Sequence, residues 1–311
     1  MNNVKKVSKK NLKKEQSVIN KPALVFGILS LLVILIVVIV AQRVISWQMR
    51  PVIETPKSEM KKIPPDVKAE MEKETFLNKT ASVRVPVLMY HYVEYVQNKK
   101  DTIRQALDIN PYTFEQQVKT LSGAGYTFIT SKELGEILDD KMPLPKKPIV
   151  LSFDDGHWDF YTNVLPVLKK YHIKATAYII PGFLGGSDFM TKQELREVVN
   201  SGLVDVGAHT VHHISLKGKL YPVVKYEVDE SKAMLENEFH IKVVSFAYPD
   251  GTFDLQAINI VKDAGFTTAV STVPGIEQSQ QNRYFLYRLR PGYRVGQVLL
   301  NYLNQSSFKP F

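Results

Sequence analysis

From Val83 onward, short runs of branched apolar residues alternate with longer stretches whose apolar positions recur every three to four residues. That alternation is the pattern of repeated β-α units. Strands are predicted at 85–90, 126–130, 148–153, 174–180, 203–208, 243–247, 266–270 and 284–289. Helices are predicted between them, at 111–123, 131–139, 159–171, 191–201, 221–239, 253–264 and 294–303. Thr191 followed by Glu194 reads as a capping box at the start of the fourth helix. The count predicts one α/β domain over 83–303, built as a closed or nearly closed barrel; a doubly wound open sheet is the competing architecture.

Upstream the pattern changes twice. Residues 23–41, from Ala23 to Ala41, contain no charged side chain and are mostly Leu, Ile and Val. Nineteen residues at the helical rise span roughly 28 Å, close to the hydrocarbon thickness of a bilayer and longer than the apolar core of a cleavable signal. The segment is therefore read as a transmembrane signal anchor. Residues 1–22 carry seven lysines against one glutamate, which places this basic tail in the cytoplasm by the positive-inside rule and everything after the anchor outside it. Residues 42–82, rich in Lys, Glu and Pro, are read as an extracytoplasmic stalk, with a short helix near 66–78; 304–311 is a C-terminal tail.

Charge and cysteine content narrow the chemistry. The formal charge is +9, of which the basic tail supplies +6, so the remainder carries only +3 and a nucleic-acid role is not expected. With no cysteine in the chain, thiolate nucleophiles and Cys-ligated metals are excluded, and any metal must take imidazole and carboxylate ligands.

Such ligands cluster where predicted strands stop. His91 follows the first strand, Asp154 and Asp155 the third, His209, His212 and His213 the fifth, and Tyr248-Pro249-Asp250-Gly251 the sixth. In parallel α/β folds this end of the sheet binds ligands. In a helical turn His209 and His213 face one side, and with one carboxylate they form a two-imidazole, one-carboxylate metal set. A second carboxylate left unligated is then available as general base. Trp158, Tyr92, Phe183 and Tyr248 are candidates either for a sugar-stacking rim or for core packing.

Ser-Phe-Asp-Asp-Gly at 152–156, His-Thr-Val-His-His at 209–213 and Phe-Ala-Tyr-Pro-Asp-Gly at 246–251, in that order, resemble the polysaccharide deacetylase superfamily, the NodB-homology domain of carbohydrate esterase family 4. The resemblance covers about residues 84–303. It implies a distorted β/α barrel and metal-dependent removal of acetyl groups from N-acetylated sugars, most often with Zn2+, although Co2+, Ni2+ and Fe2+ suit the same ligands. By motif position it implies Asp154 as general base, Asp155, His209 and His213 as metal ligands, and the backbone N–H of Asp250 as an oxyanion donor in a turn shaped with Tyr248 and Pro249.

Two departures from the family pattern stand out. No histidine follows His240, so the usual proton donor on the last strand is missing. Deacetylases of poly-β-1,6-N-acetylglucosamine take that histidine from the first strand, which makes His91 the candidate general acid. The arginine that often opens the third motif is Ala247 here, and Arg288 is the candidate to orient Asp154 instead. The implied function is N-deacetylation of an N-acetylglucosamine-containing surface polysaccharide, poly-N-acetylglucosamine or peptidoglycan. An O-acetyl esterase on a xylan-like glycan and a catalytically silent, membrane-tethered glycan-binding domain are the alternatives.

Overall fold

A computed structural model of the chain describes residues 63–77, 82–98 and 100–305, all within one compact unit, Thr55–Phe311. The predicted tail 1–22 and anchor 23–41 lie outside the described residues, as do most of the predicted stalk and C-terminal tail. Among the described residues no helix is long and apolar enough to cross a membrane.

The architecture is α/β, a curled parallel sheet with helices packed on its outside. In chain order the elements are α1 (Pro65–Leu77), β1 (Val83–Arg84), β2 (Val87–Tyr90), α2 (Thr102–Leu107), α3 (Pro111–Gly123), β3 (Thr127–Ile129), α4 (Ser131–Leu138), β4 (Pro148–Phe153), α5 (Leu165–Tyr171), β5 (Ala175–Ile179), α6 (Lys192–Asn200), β6 (Val204–Ala208), α7 (Tyr221–Phe239), β7 (Ser245–Ala247), α8 (Leu255–Asp263), β8 (Thr268–Val270), β9 (Glu277–Gln278) and α9 (Gly296–Gln305). The main sheet runs β2-β4-β5-β6-β7-β8 with every pair parallel, and β3 pairs with the start of β4. β1 and β9 form a separate antiparallel pair.

Helix starts follow local chemistry. Thr130 and Thr191 each cap a helix while Glu133 and Glu194 reach back to the cap N–H, which satisfies two otherwise orphaned donors per helix. Asn110 and Asp254 cap α3 and α8 in the simpler way.

Side-chain alternation along β4 builds both sides of the sheet. Ile149, Leu151 and Phe153 face the helices and join the large outer core, whereas Val150 faces the enclosed interior beside Val87, Ile129, Tyr178, Ala247, Val270 and Leu286. Burying each Val, Leu, Ile or Phe side chain among these contributes on the order of 1.5–3 kcal/mol. Gly207 of β6 is forced by this interior: a Cβ there would sit 2.4 Å from the Tyr178 ring.

The predicted strand at 284–289 is not a regular strand. Its backbone bonds to two different neighbours: Leu286 N donates to Ala269 O at 2.7 Å beside β8, and Leu289 N donates to Val87 O at 2.8 Å in β2. The segment thereby bridges the two edges of the sheet. The stalk reading also needs correction for its last part, because Ile63 and Val67 are buried in the outer core and Asp66 accepts from Leu255 N at 3.0 Å. The packed domain begins by residue 63.

Candidate active site

Strand ends deliver the site. Tyr90 pairs in register with Phe153, so His91 and Asp154 are next neighbours beyond the ladder, tied by the Asp154 N–H to Tyr90 O bond at 3.0 Å. The chain then turns sharply, with Asp155 at φ 78° and Gly156 at φ 81°. Aspartate tolerates this left-handed region better than most side chains, and glycine enters it freely. On the neighbouring strands, His209 continues β6 by donating its N–H to Ile179 O at 2.9 Å.

Asp154 continues the inward face of Val150 and Ser152. There it meets Arg288, whose Nη1 and Nη2 donate to its two carboxylate oxygens at 2.7 Å each, a bidentate and fully enclosed pair. Arg288 also donates to Ser271 O at 2.7 Å. Burial alone raises the Asp154 pKa, but the guanidinium outweighs it and holds the carboxyl below its ordinary value, so Asp154 is a carboxylate. His91 Nε2 lies 3.7 Å from Asp154 Oδ2. Burial pushes the His91 imidazole down to about 4, against the upward pull of Asp154 and Asp155.

Asp155, His209 and His213 converge beside this pair. Asp155 Oδ1 lies 3.3 Å from His209 Nε2 and 3.4 Å from His213 Nε2, and the three ligand atoms lie within 4.8 Å of one another. His209 Nδ1 is 2.7 Å from Ala247 O, which fixes Nδ1 as the protonated donor and leaves the Nε2 lone pair facing Asp155. Asp155 Oδ1 is buried and accepts no hydrogen bond. A carboxylate oxygen without a hydrogen-bond partner and two ring nitrogens gathered around one point fit a cation. The electrostatics agree: burial lowers the His209 pKa, yet Asp155 and Asp154 more than offset it and the net shift is upward. Burial, then His209, lowers that of His213. Burial raises the Asp155 pKa, but the neighbouring His157, His209 and His91 outweigh it and hold the carboxyl well below its ordinary range.

The two histidines do not share a helical turn, as the spacing predicts. They meet through a loop with Thr210 at φ 61° and His213 at φ 54°. His212 points away from the site, its Nδ1 donating to Glu227 Oε1 at 2.8 Å.

The third motif is placed unevenly. Pro249–Gly251 is a single 3-10 turn, with Asp250 exposed at φ 56° and near enough for its charge to raise the His213 pKa. Pro249 is buried. Tyr248 is no substrate contact through its ring: it is 1% exposed and packs on Phe246 and Phe253 in the outer core. Of the other aromatic candidates, Trp158 is exposed, whereas Tyr92 and Phe183 belong to a stack beneath the site.

That stack contains a residue the motif reading passes over. His157 is buried between Tyr92, at 4.0 Å, and Phe189, at 4.8 Å, with Arg104 lying 4.5 Å over the far face of Tyr92. Its Nε2 lies 3.3 Å from Asp155 Oδ2 and its Nδ1 lies 3.2 Å from Asp188 O. The only signal in the chain was its position two residues after Asp155.

Comparison with known proteins agrees with this arrangement. The polysaccharide deacetylase profile matches residues 141–269. YxkH of Bacillus subtilis, named as a polysaccharide deacetylase, is 30% identical over 242 residues, covering 76% of this chain and 82% of that protein. The poly-β-1,6-N-acetyl-D-glucosamine N-deacetylase of Staphylococcus aureus is 27% identical over 221 residues, covering 67% of this chain and 75% of that protein. Among solved structures, the Streptococcus pyogenes deacetylase PplD in complex with acetate superposes with a TM-score of 0.66 at 29% identity, covering 73% of this chain and 100% of that one. An α/β sheet of the NodB type, carrying the family's motif residues at one rim, makes this chain a member of the polysaccharide deacetylase family, a hydrolase acting on amide bonds.

Proposed function

We propose that the chain is a metal-dependent N-deacetylase of N-acetylglucosamine-containing cell-surface polysaccharide, of the poly-N-acetylglucosamine or peptidoglycan type, and that it releases acetate. One observation carries the reading: an unpartnered Asp155 oxygen facing two imidazole nitrogens, directly beside a carboxylate that Arg288 keeps ionised. The name of the Staphylococcus aureus relative favours poly-N-acetylglucosamine.

Asp155, His209 and His213 would hold the metal, Zn2+ in the first place. When bound, the metal supplies a more acidic water and polarises the acetyl carbonyl. Asp154, fixed by both arms of Arg288, takes the proton from the attacking water. The Asp250 N–H is assigned to the developing oxyanion. His91 is assigned to protonate the departing nitrogen. His91 Nε2 lies 3.7 Å from Asp154 Oδ2, which makes it the neighbour placed to receive the proton that Asp154 collects. The basic tail 1–22 and apolar segment 23–41 support a membrane tether that holds the domain outside the cytoplasm, where such polymers lie.

The test is acetate release from β-1,6- and β-1,4-linked N-acetylglucosamine oligomers and from peptidoglycan, before and after chelation and after Zn2+ is returned. Release that chelator abolishes and Zn2+ restores is expected. Release indifferent to chelator, or none from any of these glycans, overturns the reading.

A further inference from the structure

The five residues from His209 to His213 carry two of the three proposed metal ligands in a backbone conformation they do not favour. Thr210 at φ 61° and His213 at φ 54° are both left-handed, and Thr210 is β-branched, for which that region is a genuine outlier. Such geometry persists only where surrounding structure imposes it. The Thr210 hydroxyl does not impose it, because Oγ1 is buried without a hydrogen-bond partner.

The structure supplies the restraint from a different element. Glu227, buried on α7, turns its carboxyl group under the loop. Oε2 accepts the backbone N–H of Val211 at 2.8 Å and that of His212 at 3.0 Å, while Oε1 accepts His212 Nδ1–H at 2.8 Å. Val224 and Val228, on the same helix, are fully buried, so the carboxyl group is delivered by a rigidly packed support. The two amides it engages lie between the two ligand histidines. Its hydrogen bonds therefore fix the directions in which the His209 and His213 rings leave the chain.

We propose that Glu227 is a positioning residue that locks the 209–213 loop in its metal-binding conformation, so that metal affinity depends on a helix residue that touches no metal. The inference rests on the reading of Asp155, His209 and His213 as metal ligands. The pair of amide bonds carries the effect. The His212 imidazole is half exposed, and its bond to Glu227 is secondary.

The full chain, stripped with chelator, is titrated with Zn2+ by calorimetry and with Co2+ by visible absorption, and the unfolding temperature of the metal-free protein is recorded alongside. Glu227→Ala is expected to weaken Zn2+ binding by about 10- to 100-fold, the usual cost of losing a group that orients metal ligands, and to alter the Co2+ spectrum. Glu227→Gln keeps a carbonyl oxygen for the two amides and should bind nearly as the parent does; His212→Ala should lose only a few-fold. If Glu227→Ala does not fold, Glu227→Asp carries the test: it withdraws the carboxyl group by one methylene and should bind Zn2+ at least about 10-fold more weakly than Glu227→Gln. Parental affinity in folded Glu227→Ala, equal affinity in the Asp and Gln variants, or a His212→Ala loss as large as that of Glu227→Ala overturns the proposal. A parent chain that binds no Zn2+ overturns the ligand reading itself, and the positioning role with it.

Discussion

Arg288 grips both oxygens of Asp154 at 2.7 Å from 134 residues further along the chain. Neither group is solvated, so neither is at ease without the other. Arg288→Ala is expected to destabilise the fold by about 3–5 kcal/mol, the usual result of stranding a buried charge. Arg288→Lys keeps the charge but not the planar fork, and displacing Asp154, the proposed base, by an ångström is expected to cost about 100-fold in kcat with KM little changed. Urea unfolding and steady-state acetate release measure the two effects separately.

Replacing His91 with Ala should leave the Asp155, His209 and His213 cluster intact and Zn2+ bound. Turnover should fall by about 10²–10⁴-fold, the range for loss of a positioned proton donor. Unchanged turnover would remove His91 from the chemistry.

His157→Phe preserves the stack between Tyr92 and Phe189 while deleting the contact to Asp155 Oδ2. Zn2+ affinity should drop by about 10-fold or more with the unfolding midpoint nearly unchanged. A large loss of stability without any loss of affinity would assign His157 to packing alone.

Asp159 makes a prediction about pH. It is 1% exposed, and burial raises its pKa from 3.8 to about 6 although it accepts the Val93 N–H. Between about pH 4 and pH 6 the unfolded chain releases this proton while the folded chain still holds it, so stability falls as pH rises through that window. An asparagine side chain would keep an acceptor for Val93 and could not ionise. Asp159→Asn should therefore be more stable than the parent above pH 6, by up to about 3 kcal/mol, with the gap closing near pH 4. Urea unfolding at several pH values tests this, and a gap that widens toward acid would refute it.

Much of this was legible in the chain. Runs such as 148–153 announce strands because both faces are buried, and the residues just past each strand end must meet at one rim in a parallel sheet. The Thr191 and Glu194 capping box is where its spacing puts it. Tyr248 shows where grouping residues by motif misleads. Alternation along β7 sends Phe246 and Tyr248 to the helix side and Ala247 inward, so the ring belonged to the core all along. The segment 284–289 reads as one strand but divides its hydrogen bonds between two partners, which no local pattern encodes. Nor does local pattern encode Glu227, which lies on another element, or the left-handed path that brings His213 to Asp155.

The bridge between β8 and β2 is also the carrier of Arg288. A nascent chain halted before residue 285 would already hold both aspartates and every histidine of the site, yet lack the guanidinium that steadies Asp154, the proposed base, and the strap that joins the sheet edges. On the proposed mechanism, catalytic competence therefore arrives in a single late event of synthesis, and prematurely ended translation products should be inert however well their first two motifs are made.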